Sequence, residues 1–183
     1  LLVGSGGVLS HAPLRAQTAA MMIDAFQPEG VTQLAVDSIF MMPHLGVLAS
    51  VDEQAATDVF ERDCIVYLGT CVAPSGDGKM GDVCATYELQ SSGQTQTGEI
   101  RVGELQLSPF ADGAEGELAI TPGRGWDVGA GPGQPHSTAV RGGVVGLILD
   151  GHGRPLALPE DDDERRTCVR TWNQALQLYG EAD

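Results

Sequence analysis

The sequence is poor in basic residues and in cysteine, and it has no apolar run of membrane-spanning length. Of 183 residues, 10 are Lys or Arg and 25 are Asp or Glu, giving a formal net charge of -15. Such a balance repels phosphates, which argues against nucleic acid and anionic membranes as partners. It fits a solubilising or salt-adapted surface, or an acidic face for a basic partner. No stretch has the ~20 apolar residues of a membrane span. The start is too short and glycine-rich for a signal peptide, and it lacks a basic region. Cys64, Cys71, Cys84 and Cys168 form no CxxC pair, so a zinc ribbon is disfavoured. Three of them sit in apolar, strand-like stretches and read as buried free thiols of a cytoplasmic protein.

Catalytic signatures are scarce as well. The sequence has no GxSxG elbow, no HExxH and no clear Cys–His pair. His11, His44, His136 and His152 are scattered, without metal-ligand spacing, and each reads as structural or surface. His11, near a glycine turn, could touch a ligand. Asp161, Asp162 and Asp163 fit a solvated helix start better than a metal site.

What the chain does have is an apolar strand running into a glycine-rich turn: Leu1-Leu2-Val3-Gly4-Ser5-Gly6-Gly7-Val8-Leu9. Glycines admit positive φ and close backbone approach, and a following helix start favours anions. The motif fits neither GxGxxG, because Leu9 takes the last glycine position, nor a phosphate loop with Lys-Ser/Thr. A plain structural turn competes with a ligand role. The motif stands at the first residue with no strand before it, so the chain reads as the carboxyl-terminal piece of a larger protein.

The hydrophobic period changes near Asp63. Before it, Ala16, Ala19, Ala20, Met22, Ile23 and Phe26 recur at helical spacing after Pro13. Gln33 to Asp37 reads as a strand ending in an acid, and Ile39 to Met42 as one turn. Helices are expected over His44 to Val51 and over Asp52 to Phe60, with Asp52 as cap. After Asp63, short strands dominate: Cys64–Leu68, Asp82–Leu89, Glu99–Val102, Glu104–Leu107 and Glu117–Ile120. Gly123 to Gly133 reads as a loop. Gly142 to Asp150 reads as a strand, with Pro155 to Leu158 as its hairpin return. The acidic run Glu160 to Glu164 opens a last helix whose apolar stripe is Trp172, Ala175, Leu176 and Tyr179. The density of short strands points to a small barrel or sandwich.

Several blocks carry a family resemblance. Val3 to His11, Gln27 to Val36, and Ser38 to Ala49 with Met42-Pro43-His44-Leu45-Gly46-Val47-Leu48 resemble the glutamate mutase accessory family. That family is called MutL or GlmL and is unrelated to mismatch repair. Glu61-Arg62-Asp63-Cys64 with Leu68-Gly69-Thr70, Gly129 to Gly133, and Gly142 to Asp150 through Leu156 are similar to its later blocks. The resemblance covers almost the whole chain. It implies that residues 1–63 are a fragment of an actin-like (ribonuclease H-like) ATPase lobe. With the strand-rich remainder, residues 64–183, read from its pattern as a β-rich barrel or sandwich closed by a helix, the expected fold class is α+β. It implies ATP with Mg as cofactor of the full-length parent, held here only by an adenosine half-site of Gly4, Ser5, Gly6, Gly7 and Val8. It implies a coenzyme-B12-dependent mutase as partner, and no catalytic or metal residues in this piece. Two other readings stand beside it: a non-catalytic partner-binding β module, and a small-molecule enzyme with a site near Trp126 to Gly133.

Overall fold

The structure, a computed structural model, describes residues 1–156 and 158–179. The chain starts with β1 (Leu2–Gly4), a short helix α1 (Gly7–Ser10), α2 (Arg15–Phe26) and β2 (Gly30–Asp37). The apolar spacing of α2 buries Ala19, Met22 and Ile23, while Phe26 stays exposed. Gln27, in the left-handed region at φ 43, ends α2, and its N–H donates to the Ile23 carbonyl. A helical hairpin follows, α3 (Met42–Ala49) and α4 (Glu53–Val59). As expected, Asp52 caps α4, its carboxylate accepting from the Ala55 N–H.

A π-helical turn, Phe60–Cys64, leads into β3 (Ile65–Ala73). Then come β4 (Val83–Ser91), β5 (Gln94–Arg101), β6 (Leu105–Ser108), β7 (Glu115–Pro122), β8 (His136–Arg141), β9 (Gly146–Asp150) and α5 (Asp162–Ala175). They make a mixed α+β fold of two sheets. One has the order β1-β2-β3-β9-β6, the other β5-β4-β7-β8, and neither closes into a barrel. In the larger sheet β1 and β2 run parallel, as do β3 and β9. The junction at residues 63 and 64 falls just before β3, and this sheet continues across it.

The layers follow from strand alternation. Leu147 and Leu149 of β9 point into a core shared with the second sheet, among Leu89, Ile100, Leu118, Ile120 and Trp126. Ile148 points the other way, into a core with Met22 and Ile23 of α2, Trp172 of α5 and Leu176 just beyond it. The result is three layers: helices, a mixed sheet buried on both faces, and an antiparallel sheet. Close approach at the sheet centre requires glycine. Gly69 has φ 146, and a Cβ there would stand 1.9 Å from the Gly146 carbonyl oxygen.

Two expectations need correction. β9 does not return through Pro155 to Leu158; its neighbours are β3 and β6. After Asp150 the chain is diverted instead, because Arg154 pairs with Asp150 and donates to the Pro28 carbonyl, while the Leu156 N–H donates to the Gln27 side chain. Ala157 of the expected return strand lies outside the described residues. Tyr179 does not join the apolar stripe of α5; it is 72% exposed, whereas Trp172 and Leu176 are buried. The acidic start of α5 is as expected, with the Asp161 carboxylate accepting from the Asp163 and Glu164 N–H groups.

Candidate functional site

The glycine turn lies where two parallel strands end. Gly4 closes β1 and Asp37 closes β2, and Gly4 pairs with Val36 in register. The crevice beyond the carboxyl ends of parallel strands is where open sheets of this kind take ligands. Gly6 has φ 115, a conformation that disfavours any side chain. A Cβ on Gly6 or Gly7 would meet no atom of the described residues within 4 Å, so the space over the turn is open among them. Gly4 differs: a Cβ there would press on Leu9 and Met22, both at 2.9 Å. Ser5, Gly7 and Val8 are exposed.

Asp37 fastens this turn to the loop after β2. Its carboxylate accepts from the Ser5 hydroxyl at 3.1 Å, the Met41 N–H at 3.0 Å and the Met42 N–H at 2.8 Å. Its backbone carbonyl accepts from the buried Ser10 hydroxyl at 2.5 Å. Burial opposes ionisation of Asp37, but the N–H groups of Met42 and Met41 and the Ser5 hydroxyl outweigh it and hold the carboxyl below the usual range. The sequence showed only a strand ending in an acid. Nothing in local spacing reveals that Ser5, 32 residues earlier, is its partner.

With its oxygens occupied, Asp37 is a brace and offers no free base. The arrangement presents backbone and small side chains to a ligand, without a nucleophile–base pair. Among the described residues no cluster of three or more His, Cys, Asp or Glu side chains has metal-holding geometry. His11 and His44 are exposed.

The glycine loop after β7 is organised differently. Trp126 is buried against Gly76 and Gly78, and Asp127 accepts from the Gly129 N–H at 2.7 Å and the Gly131 N–H at 3.0 Å. Those two N–H groups hold its carboxyl below the ordinary range. The acid is taken up by the loop's own turn.

All four cysteines are free thiols, three of them buried, and burial pushes Cys84 up to about 11. None is poised as a thiolate. No helix among the described residues is long and apolar enough to cross a membrane. Comparison with protein families finds a match over residues 1–64 to the family described as MutL protein. Comparisons with curated proteins and with solved structures find no match.

Proposed function

We propose that this chain, whose residues 1–64 match the MutL protein family, is the carboxyl-terminal region of an ATP-dependent accessory protein. Its client on this reading is a coenzyme-B12-dependent amino-acid mutase of the glutamate type, in the cytoplasm. The family match supports the accessory role. The observation that carries the nucleotide role is the open glycine turn at the ends of β1 and β2, braced by Asp37.

Gly4, Ser5, Gly6, Gly7 and Val8 form the adenosine half of the site. The turn fits such a group because Gly6 and Gly7 leave space where side chains would stand and offer backbone at close range. Asp37 fixes the turn through Ser5, so the surface meeting the nucleoside is set before binding. ATP supplies a phosphoanhydride whose hydrolysis shifts the balance between two lobe arrangements. The chain's residues contribute orientation alone, and the phosphate- and magnesium-holding groups belong to a preceding segment of the parent protein. Such a cycle needs the two arrangements to bind nucleotide with different affinity.

Titration calorimetry with ATP and magnesium tests this. Residues 1–183 alone should bind weakly and turn over no ATP. In the complete parent protein, Gly7→Val should weaken ATP binding about tenfold or more, since its side chain enters the ligand space and no other. Unchanged affinity in that variant removes the adenosine role, and turnover by residues 1–183 alone overturns the half-site.

A further inference from the structure

The α3–α4 hairpin presents an apolar surface that the other described residues do not cover. In its eight residues α3 has one polar side chain, His44, and only Leu45 is buried. A helix that is apolar all round belongs in an interior. One this short has little stability of its own in water and depends on packing. Its packing is one-sided: Met41, Leu45 and Ala49 lean on Ala56, Val59 and Phe60. Left outward are Val47 at 71% and Val51 at 87% exposure, and Met42 and Leu48 are exposed as well. Ile39 and Phe40, just before α3, are exposed apolar side chains too, and Phe40 is held in the left-handed region at φ 58.

The segment that packs against α3, and so borders this patch, is acidic. Residues 52–63 expose Asp52, Glu53, Asp58, Glu61 and Asp63. Their one basic residue, Arg62, is paired with Asp63. An exposed apolar cluster with a charged rim marks a protein interface.

We propose that the α3–α4 hairpin is a docking surface for a partner protein whose contact patch is apolar at its centre and basic at its rim. Charge chooses this occupant. A second copy would bring the same acids face to face, and like charges across an interface are penalised. Nucleic acid and anionic lipid are repelled by the same rim. For the partner's identity the inference rests on the accessory reading above, whereas the surface does not depend on the nucleotide. Loss of peptide binding and loss of ATP binding are therefore separate failures.

The probe is a synthetic Lys/Leu amphipathic helix of about 18 residues, with a Glu/Leu helix of the same pattern as control. Fluorescence anisotropy of the labelled peptide follows binding to residues 1–183 at physiological salt. Val47→Asp with Val51→Asp changes exposed side chains only, and circular dichroism checks that the fold is kept. This pair should weaken Lys/Leu binding about tenfold. Glu53→Lys, Asp58→Lys and Glu61→Lys together should do the same. Asp112→Lys, Glu115→Lys and Glu117→Lys, an equal change of charge at the second sheet, should have less than about a twofold effect. Equal loss in the two charge reversals would show attraction to net charge only, and overturns the proposal. So does binding that survives Val47→Asp with Val51→Asp, absence of Lys/Leu binding, or equal binding of the Glu/Leu helix. Sedimentation showing a dimer that Val47→Asp with Val51→Asp dissolves would assign the face to a second copy, against the proposal.

Discussion

The imidazole of His152 lies against the indole of Trp172, ring centroids 3.9 Å apart and planes tilted by 45°. Both imidazole nitrogens are buried without a hydrogen-bond partner among the described residues, and Nδ1 stands 3.4 Å from an Asp150 oxygen. Three charged groups act on the ring: Asp150 at the end of β9, Arg154 beyond it, and Asp24 on α2. Burial lowers the pKa of His152 below its ordinary 6.5, against the pull of Asp150 and Asp24.

A pH dependence follows from that shift. The folded state holds His152 neutral over a range where the unfolded chain protonates it. The unfolded state then binds more protons, so stability rises with pH there. The contribution is complete above 6.5 and is lost as pH falls from 6.5 toward the lower folded value. Asp24 works with the opposite sign. Partial desolvation of its carboxyl, on an otherwise exposed residue, raises it above 3.8, so its contribution is present at lower pH and is lost as pH rises from 3.8 through the folded value. His152→Phe keeps a ring against Trp172 and removes the titration. Urea midpoints at about pH 7.5 and about pH 5.5 should fall in the wild type on acidification, and fall less in His152→Phe. Equal drops would show that His152 does not carry the effect.

Arg154 and Asp150 form an ion pair with both side chains almost fully buried. Asp150 also accepts from the His152 N–H at 2.9 Å, and Arg154 donates to the Pro28 carbonyl at 2.9 Å. The pair therefore ties the end of β9 to the end of α2. Removing one partner leaves a charge buried alone, so Arg154→Met should cost about 3–5 kcal/mol in denaturant unfolding. Arg154→Met with Asp150→Asn should recover much of that loss, because the stranded charge is gone. A double variant as unstable as the single one would contradict this account.

Trp172 seats α5 on the mixed sheet. Its indole N–H donates to the Gly103 carbonyl at 2.8 Å and its ring is buried. Trp172→Ala should cost about 3–5 kcal/mol. Tyr179→Ala should change stability by less than about 0.5 kcal/mol, since that side chain is exposed. Chemical denaturation of both variants checks the contrast, and similar losses would place Tyr179 in the core after all.

Local features of this fold were legible, and long-range ones were not. The spacing of Ala19, Met22 and Ile23, the Asp52 cap and the acids at the start of α5 each act within a turn or two, so sequence shows them. The pairing of β9 with β3 and β6 joins segments dozens of residues apart, and β9 is apolar on both faces. Its sequence carries no alternation to name a partner. Tyr179 satisfied the helical period yet lies beyond the end of α5 at Ala175, where the period no longer applies. At the candidate site the glycine turn was visible from its composition. The brace was not, because the Ser5–Asp37 bond depends on β1 and β2 lying side by side.

That brace gives the last prediction. Asp37 is fully buried, and its carboxylate holds three donors from two segments. Asp37→Ala removes the acceptor and leaves the Met41 and Met42 N–H groups without it. The loss should be about 2–4 kcal/mol, since hydrogen bonds to charged groups are the stronger kind. The pH sign follows from the lowered folded value. Stability from Asp37 is present above 3.8 and is lost as pH falls through the folded pKa, so the wild type should lose more than Asp37→Ala on acidification below 3.8. Hydrogen exchange localises the effect. The amides of Met41 and Met42 should lose protection in Asp37→Ala, while those of β4 and β7 keep theirs. Retained protection at Met41 and Met42 would mean that the loop is held by something other than this carboxylate.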